Sequence, residues 1–247
     1  MSSLKDQMVD VGGMLICIEG TDGSGKGTQA KTLTKTLETM GYEVVHLEFP
    51  RYTKNFFGKE VGKFLDGQYG ELKTIHPKIA SMIYAGDRYE TRDFMRSMLE
   101  DGVIIVCDRY VGSNMAYQCT RLPEDEQVEM RQWLEELEYG IYRLPKPDMT
   151  IFLDVPVGVS KQLVLMKAKR SYTDKDEDIM EAQHDLLEKV YLQYKALSNI
   201  YNWRNISCMM HQQIESIDTL LPENIIADRI QAQVNIAIAQ KLEIIQD

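Results

Sequence analysis

The chain alternates short apolar runs with longer segments in which apolar residues recur every three or four positions. The short runs are typical of buried β-strands, and the longer segments are typical of amphipathic helices. This alternation predicts an α/β protein with a parallel sheet that helices cover on both faces. The predicted strands span residues 14–19, 43–49, 103–108, 149–154 and 203–208.

The predicted helices follow the strands without a break in the pattern. Apolar residues from Ala30 to Met40 fall on one helical face, and Gly41 stands where a C-terminal cap is expected. A longer helix is predicted over 77–102, because proline fits the first helical position. No repeat or glycine/serine linker divides the chain, so we expect a single domain over residues 1–247.

Composition limits the classes of protein to which this chain can belong. With 44% hydrophobic residues, the 247-residue chain can bury one substantial core. Its formal net charge of −10 argues against a protein that coats a nucleic-acid backbone, so we expect no nucleic-acid partner. Any phosphate that it binds must therefore meet a local concentration of positive charge.

The sequence also indicates a compartment. Its apolar runs are far shorter than the roughly 20 residues that a membrane-spanning helix needs, and residues 1–13 are polar, without a secretory pattern. The four cysteines have no metal-ligand spacing, so we interpret them as free thiols in a reducing compartment. We therefore expect a cytoplasmic protein without membrane contact.

A glycine-rich segment follows the first predicted strand and opens the first helix, which is the context of a phosphate-binding P-loop. Its N–H groups and the helix N-terminus would bind phosphate oxygens, and Lys26 would bridge two phosphates. Gly27 stands where the pattern has Ser or Thr, so Thr28 becomes the candidate hydroxyl near Mg²⁺. A glycine-rich turn that binds no nucleotide is the alternative. The predicted nucleotide-binding residues are Gly20, Gly23, Ser24, Gly25, Lys26, Gly27 and Thr28.

Four further segments resemble the thymidylate kinase family in sequence and order: FPR at 49–51, YAGDRYE at 84–90, DRYVGSNMAYQ at 108–118 and DIME at 178–181. The resemblance implies an enzyme that transfers the γ-phosphoryl group of ATP to dTMP with Mg²⁺ as cofactor. It also implies a homodimer and a three-layer P-loop NTPase fold. That fold would have a five-stranded parallel sheet in the order 2-3-1-4-5 and a small mobile lid near residues 167–178.

Residues at the ends of predicted strands form the expected phosphate sites. Arg51 lies at the carboxyl edge of the sheet, where ligands of open α/β folds bind. The resemblance implies that Arg51 contacts the acceptor phosphate beside Phe49 and Pro50, although it could be an exposed surface arginine. Asp108 ends the third strand, where a P-loop fold needs a carboxylate for the Mg²⁺ shell. By resemblance, Arg109 spans the acceptor phosphate and the transferring group, and an ion pair with Asp108 is the alternative.

Two helical segments supply the expected thymidine pocket. Tyr84 and Arg88 lie four residues apart and share a helical face, which suits a thymine clamp by resemblance. A core tyrosine beside a surface ion pair is the alternative. The Asn114 amide can donate and accept at once, and so match the O4 and N3 edge of thymine. By resemblance, Tyr117 lies near C2′ of the sugar, and Asp22 reaches the 3′-OH or orients the arginines. Further predicted substrate-binding residues are Ser113 and Gln118.

Gly23 departs from the family pattern, because many members carry an arginine there that stabilises charge on the transferred phosphoryl group. We infer that a lid cation replaces it, since Lys167, Lys169 and Arg170 precede a polar run. Arg170 is the first choice, because a planar guanidinium matches phosphate oxygens. A basic cluster is also what a helix C-terminus favours.

The expected chemistry needs little covalent work from the protein, because phosphoryl transfer depends on positioning and charge neutralisation. The predicted catalytic residues are Asp22, Lys26, Arg109 and Arg170. A monophosphate kinase of adenylate kinase type is one rival interpretation, since GKGTQ also occurs there, but Asp22 and the DRYVGSNMAYQ run argue against it. A P-loop switch protein is another, which would have no use for arginines on the acceptor side.

Overall fold

The computed structural model describes residues 11–71, 73–168, 177–211 and 216–246. Its strands are β1 (Met14–Glu19), β2 (Val44–Glu48), β3 (Ile104–Asp108), β4 (Met149–Asp154) and β5 (Arg204–Ser207). Its helices are α1 (Lys26–Thr39), α2 (Phe56–Leu65), α3 (Pro77–Glu100), α4 (Val111–Cys119), α5 (Gln127–Glu135), α6 (Val157–Ala168), α7 (Glu177–Ile200) and α8 (Glu223–Gln246). A π-helical turn, Glu136–Ile141, follows α5, and short 3₁₀ turns span Glu124–Glu126 and Ile217–Thr219.

The five strands form one parallel sheet in the order β2-β3-β1-β4-β5. This is the predicted order, so the predicted α/β fold of P-loop type is confirmed. Strands β2, β3 and β5 are each slightly shorter than their apolar runs. Within the described ranges, no helix has both the length and the apolar character that a bilayer crossing requires.

Each face of the sheet carries its own hydrophobic core. Side chains alternate between the faces of a strand, so Ile16 and Ile18 of β1 pack with residues of α1 and α8. Leu15 and Cys17 pack on the opposite face with residues of α3, α4 and α7. Because β1 is buried on both faces, its sequence is a continuous apolar run up to Glu19.

Local sequence fixes the ends of the helices that hold predicted site residues. Helix α1 ends at Thr39, and Gly41 follows with a φ of 91°, a left-handed conformation that glycine adopts without a steric penalty. Helix α3 begins with Pro77 at its first position, and Nδ1 of His76 accepts a hydrogen bond from the Lys78 N–H at 3.2 Å. Both boundaries agree with the sequence predictions.

Helix α2 packs closely against the middle of α3 at Gly86. A Cβ atom on Gly86 would lie 2.5 Å from the ring of Phe57. The same pair of helices holds the segment after β2, because Asn55 Nδ2 donates to Asp87 Oδ1 at 2.7 Å and the Arg51 N–H donates to Asp87 Oδ2 at 2.8 Å. The contact at Gly86 therefore helps to set where Arg51 lies.

Alanine substitutions at two helical glycines should have opposite effects on stability. Gly86→Ala forces a methyl group against Phe57 and should lower the free energy of unfolding by about 1–3 kcal/mol. Gly62→Ala should raise it by roughly 0.5–1 kcal/mol, because a Cβ there has its nearest neighbour at 3.8 Å and alanine is the better helix former. Urea denaturation of both variants measures the difference, and destabilisation of equal size in both would contradict the packing at Gly86.

Candidate active site

The site lies at the carboxyl edge of the sheet, where β1 and β3 end side by side. Ile18 and Asp108 are neighbours in the strand pairing, and the Arg109 N–H donates to the Ile18 carbonyl at 3.0 Å. The P-loop leaves β1 at this point, and the segment of Asp108 and Arg109 leaves β3. The strand register therefore brings the two sequence motifs together.

The P-loop curls back on itself between β1 and α1. The Ser24 N–H donates to the Thr21 carbonyl at 3.2 Å, and Gly25 has a φ of 85° directly before the helix. Lys26 is buried, and its Nζ donates to the Thr21 carbonyl at 2.7 Å and to Ser24 Oγ at 3.4 Å. Burial, with the positive charge of Arg109 as a further cause, lowers the pKa of Lys26 to about 7.

Gly23 lies against the backbone of α6. Its φ is 83°, and a Cβ atom there would lie 2.2 Å from the Ser160 carbonyl oxygen and 2.8 Å from Cγ2 of Val164. A backbone atom cannot move aside as a side chain can, so no larger residue fits while α6 stays in place. An arginine at this position is therefore excluded by packing against α6.

Gly27 makes room for the Asp108 carboxylate. A Cβ atom on Gly27 would lie 2.9 Å from Asp108 Oδ2. Asp108 Oδ1 is buried and has no hydrogen-bond partner among the residues that the structure describes. Thr28, one residue further along α1, is exposed. A carboxylate with an unpartnered oxygen beside a phosphate loop fits the chemistry of a hard cation such as Mg²⁺.

Arg109 joins the P-loop to helix α4. Its φ is 66°, which is uncommon for a residue with a side chain and directs the chain sharply out of β3. Nη2 forms an ion pair with Asp22, and Nη1 donates to Ser113 Oγ at 3.2 Å. The guanidinium carbon lies 5.6 Å from the centroid of the Tyr117 ring, and the Tyr117 hydroxyl donates to Asp22 Oδ2 at 2.9 Å. Burial would raise the pKa of Asp22, but the charges of Arg109 and Lys26 hold it below its ordinary value.

Glu19 is the buried centre of this network. Its carboxylate accepts hydrogen bonds from the Tyr110 N–H at 2.8 Å, the Ser113 N–H at 3.0 Å and the Tyr194 hydroxyl at 3.2 Å. Ser113 Oγ donates at 2.6 Å as well. Burial raises the pKa of Glu19 above its ordinary value, and the Ser113 hydrogen bond and the charge of Arg109 oppose that rise. Glu19 thus ties α4 and α7 to the end of β1.

Arg51 is held by α3 just beyond the end of β2. Its N–H binds Asp87, and Nη1 donates to Thr91 Oγ1 at 3.1 Å. The preceding residues are Phe49, which is buried and has its ring 5.9 Å from that of Tyr110, and Pro50, which follows a cis peptide bond. In the segment 49–51, the buried Phe49 side chain therefore anchors the chain, and the Arg51 side chain is half-buried.

Arg88 and Asn114 share one buried carboxylate, that of Glu138. Arg88 Nε and Nη2 donate to the two oxygens of Glu138 at 2.6 Å each. Asn114 Nδ2 donates to Glu138 Oε1 at 2.8 Å and to the Ser81 carbonyl at 3.2 Å. Burial disfavours the charge on Arg88, but the Glu138 carboxylate outweighs this effect and raises the pKa of Arg88. Both hydrogen bonds of Asn114 Nδ2 are thus made to the protein, and Oδ1 has no partner among the described residues.

Tyr84 of α3 packs against α2. Its ring contacts Phe64 of α2 edge-on, with the centroids 6.1 Å apart. Burial raises the pKa of Tyr84 to about 12, while the charges of Arg109 and Arg88 both act to lower it. The charge of Arg109 also lowers the pKa of Lys26. Convergence of Arg51, Arg88 and Arg109 around one ligand site remains a prediction.

Helix α4 divides the remaining predicted residues between two neighbouring faces. Ser113 and Tyr117 face the Arg109 network, whereas Asn114 and Gln118 face α3 and the loop before it. Gln118 Oε1 accepts from Arg121 Nη1 at 2.7 Å, and Arg121 Nη2 donates to the Ile75 carbonyl. Gln118 therefore anchors a neighbouring loop through Arg121.

The predicted lid is only partly described. Lys167 belongs to the last turn of α6, and residues 178–181 belong to the first turns of α7. Lys169 and Arg170 lie outside the described residues. The lid remains a prediction.

Sequence reasoning missed three residues of the site. Glu19 had a readable signal, since it is a carboxylate that ends a buried strand directly before a P-loop. Glu138 and Tyr194 had none, because one lies in an acidic stretch and the other on a long helix with a second tyrosine. Only the fold brings them to Arg88 and to Arg109.

The parallel sheet, the P-loop and the cluster of arginines beyond it define a nucleotide-binding protein of the P-loop class. The thymidylate kinase family model matches residues 18–220, and this chain belongs to the thymidylate kinase family.

Curated relatives agree with this membership. A thymidylate kinase of Mycobacterium tuberculosis (strain ATCC 25618 / H37Rv) is 31% identical over 157 residues, which is 64% of this chain and 73% of the relative. A probable thymidylate kinase of Thermococcus kodakarensis is 31% identical over 216 residues, which is 85% of this chain and 100% of the relative. A thymidylate kinase of Plasmodium falciparum is 30% identical over 206 residues, with 83% and 86% covered.

Alanine at two P-loop glycines should separate backbone strain from packing against α6. Gly23 and Gly25 have nearly equal φ values, 83° and 85°, but a Cβ on Gly25 meets nothing within 4 Å. Gly25→Ala should cost about 1–2 kcal/mol of unfolding free energy from strain alone. Gly23→Ala should cost about 1–3 kcal/mol more, because α6 must shift. Urea denaturation without nucleotide measures the free energy of unfolding of both variants. Equal losses in the two variants would mean that α6 moves aside without an energetic cost.

Proposed function

We propose that this chain transfers the γ-phosphoryl group of ATP to dTMP, giving ADP and dTDP. The observation that carries the proposal is the position of Arg109, which contacts the P-loop residue Asp22 on one side and Ser113 of α4 on the other. A cation in this place can contact both the donor and the acceptor phosphate. Membership in the thymidylate kinase family supports the same reaction.

The donor phosphates would bind to the N–H groups of the P-loop and to the N-terminus of α1. Lys26 lies inside that loop, and its lowered pKa means that a bound phosphate would restore its full charge. Asp108 and Thr28 would hold Mg²⁺ directly or through water, which the unpartnered Asp108 Oδ1 supports. When bound, Mg²⁺ neutralises charge on the transferring phosphates.

The acceptor phosphate would lie between Arg51 and Arg109. Its second pKa is roughly 6, so near neutral pH it is mostly a dianion and needs no general base. An oxygen of the acceptor attacks the γ-phosphorus in line, and the bond to the β,γ-bridging oxygen of ATP breaks. The arginines and Lys26 share the charge of the transition state. Arg170 would add a cation from the lid, since packing excludes an arginine at Gly23.

The thymine base would lie among Tyr84, Arg88 and Asn114. Glu138 engages Nε and Nη2 of Arg88, which leaves Nη1 as a donor for O4 of the base. Asn114 Oδ1 would accept the N3–H. Tyr117 and Asp22 would border the sugar, with Tyr117 near C2′. Ser113 would hold Arg109 in place, and Gln118 would hold Arg121.

We also infer a homodimer in the cytoplasm. Ile79, Met82 and Tyr89 lie on one face of α3 and are 52%, 41% and 42% exposed, which suits a helix packed against a second copy. Sedimentation of the purified protein measures this assembly.

The four cysteines are buried and free, which fits the reducing compartment that we infer.

Acceptor specificity tests the proposed reaction directly. With ATP and Mg²⁺, the protein should phosphorylate dTMP with the highest kcat/KM among dTMP, dUMP, dGMP and AMP. The 5-methyl group of thymine separates dTMP from dUMP by about 1–3 kcal/mol at most, so dUMP should be the second acceptor. Coupled detection of ADP gives the rates. Preference for AMP or dGMP would assign the chain to another monophosphate kinase activity, and ADP release without acceptor phosphorylation would reject transfer.

ATP binding should take up protons above neutral pH. In the ligand-free protein the pKa of Lys26 is about 7, below its ordinary value, so the lysine loses its proton as the pH rises past 7. Bound phosphate raises the pKa again, so about one proton should be taken up at about pH 8.5. Calorimetry in buffers of different ionisation enthalpy measures the uptake. Lys26→Arg keeps the charge at every pH and should show none; uptake by both proteins would assign the proton elsewhere.

A further inference from the structure

We propose that Glu138 is a positioning residue that fixes the hydrogen-bonding polarity of the base pocket, through Asn114 and Arg88, and so allows it to reject cytosine. The inference rests on the proposed function, since it concerns how the acceptor base is chosen. Glu138 itself would not touch the base. It acts on the two residues that do.

Three separate parts of the chain meet at this carboxylate. Glu138 belongs to the π-helical turn after α5, Arg88 to α3 and Asn114 to α4. Glu138 is fully buried, and Arg88 is 3% exposed. Its neighbour in the same turn, Glu136, is exposed. The structure therefore encloses one acidic residue of this acidic stretch and leaves another in solvent.

The carboxylate determines which way the Asn114 amide points. An ionised carboxylate only accepts hydrogen bonds, so Glu138 Oε1 requires the amide nitrogen, not the amide oxygen, at 2.8 Å. The Ser81 carbonyl imposes the same requirement at 3.2 Å. If the amide turned over, its oxygen would face two acceptors. Nδ2 is thus held on the protein side, and Oδ1 is the atom left for a ligand.

The remaining amide oxygen is a buried acceptor without a protein partner. Asn114 Oδ1 is enclosed, and none of the described residues donates to it. A buried polar atom is costly unless something satisfies it, so the pocket favours a ligand with an N–H at this place. Thymine has that donor at N3. Cytosine has a lone pair at N3, which would face the lone pairs of Oδ1.

Arg88 extends the same discrimination to the next atom of the base. The ion pair with Glu138 orients the guanidinium and leaves Nη1 as a donor. A donor suits the O4 oxygen of thymine, whereas the amino group of cytosine at C4 is itself a donor. Glu138 thus leaves an acceptor on Asn114 and a donor on Arg88, which are the two groups that the N3 and O4 edge of thymine requires.

A simpler role for Glu138 would be to compensate the buried charge of Arg88. That role predicts a different result from control of hydrogen-bond polarity. If Glu138 only stabilised the fold, its replacement would lower stability or the active fraction without changing the relative use of two bases. If it sets polarity, the relative use must change. Selectivity is therefore the measurement that separates the two roles.

The test compares dTMP with 5-methyl-dCMP, which keeps the methyl group and differs at N3 and C4. In Glu138→Gln the introduced amide can donate as well as accept, so the Ser81 carbonyl alone opposes a turn of the Asn114 amide, through the longer of its two hydrogen bonds. The ratio of kcat/KM for dTMP to that for 5-methyl-dCMP should fall at least tenfold, and KM for dTMP should rise while KM for ATP stays unchanged. Glu136→Gln, an exposed change in the same turn, should keep the wild-type ratio. An unchanged ratio in Glu138→Gln would overturn the proposal.

Two further variants complete the test. One serves if Glu138→Gln fails to fold, and the other tests whether Glu138 acts through Asn114. Glu138→Asp keeps the charge near Arg88 but withdraws the carboxylate by one methylene, so selectivity should fall even if Glu138→Gln is unstable. Combining Glu138→Gln with Asn114→Ala should reduce the ratio by less than the product of the single effects. Multiplicative effects of the two substitutions on the ratio would contradict action through Asn114.

Equilibrium binding of both nucleotides gives the same ratio without turnover. A wild-type protein that binds dTMP selectively but transfers no phosphoryl group would therefore reject the proposed function alone.

Discussion

The structure depends on keeping positive charge together at one edge of the sheet in a chain whose net charge is −10. Lys26 and Arg109 lie close enough for each to disfavour the charge of the other, and burial adds to the cost. Without phosphate, the negative charges of Asp22, Asp108 and Glu19 offset part of that cost. The site is therefore prepared for anions that complete its charge balance.

Buried carboxylates organise the two halves of the site in the same way. Glu19 holds Ser113 and, through it, the Arg109 side of α4. Glu138 holds Arg88 and the neighbouring face of α4. In the proposed function, this single short helix separates the phosphate region from the base region, and a buried carboxylate fixes each region. Such fixed surroundings reduce the reorganisation that binding requires.

Close backbone packing sets the limits of the P-loop. The carbonyl of Ser160 occupies the space that a side chain at Gly23 would need, and Asp108 occupies the space beside Gly27. The lack of a side chain at Gly23 therefore has a steric reason in this fold, whereas the contact at Gly27 is with the end of a side chain that can move. No cationic side chain fits at Gly23, so another residue has to stabilise the negative charge on the transferred phosphoryl group. The proposed mechanism assigns this role to a cation of the lid.

The sequence by itself determined the order of elements and the identity of the phosphate loop. Strands buried on both faces leave continuous apolar runs, glycine and proline mark the ends of α1 and α3, and a P-loop is local in the chain. It also placed Arg51 and Arg109 at one edge, because parallel strands end on the same side.

Only the tertiary structure decided how those residues are held. Glu138 lies 50 residues from Arg88, and Tyr194 lies 175 from Glu19, so no local pattern relates them. The direction of the Asn114 amide likewise follows from partners on other elements. Periodicity and motifs record what neighbours in the chain do, whereas hydrogen-bond polarity and steric exclusion arise between segments that meet only after folding.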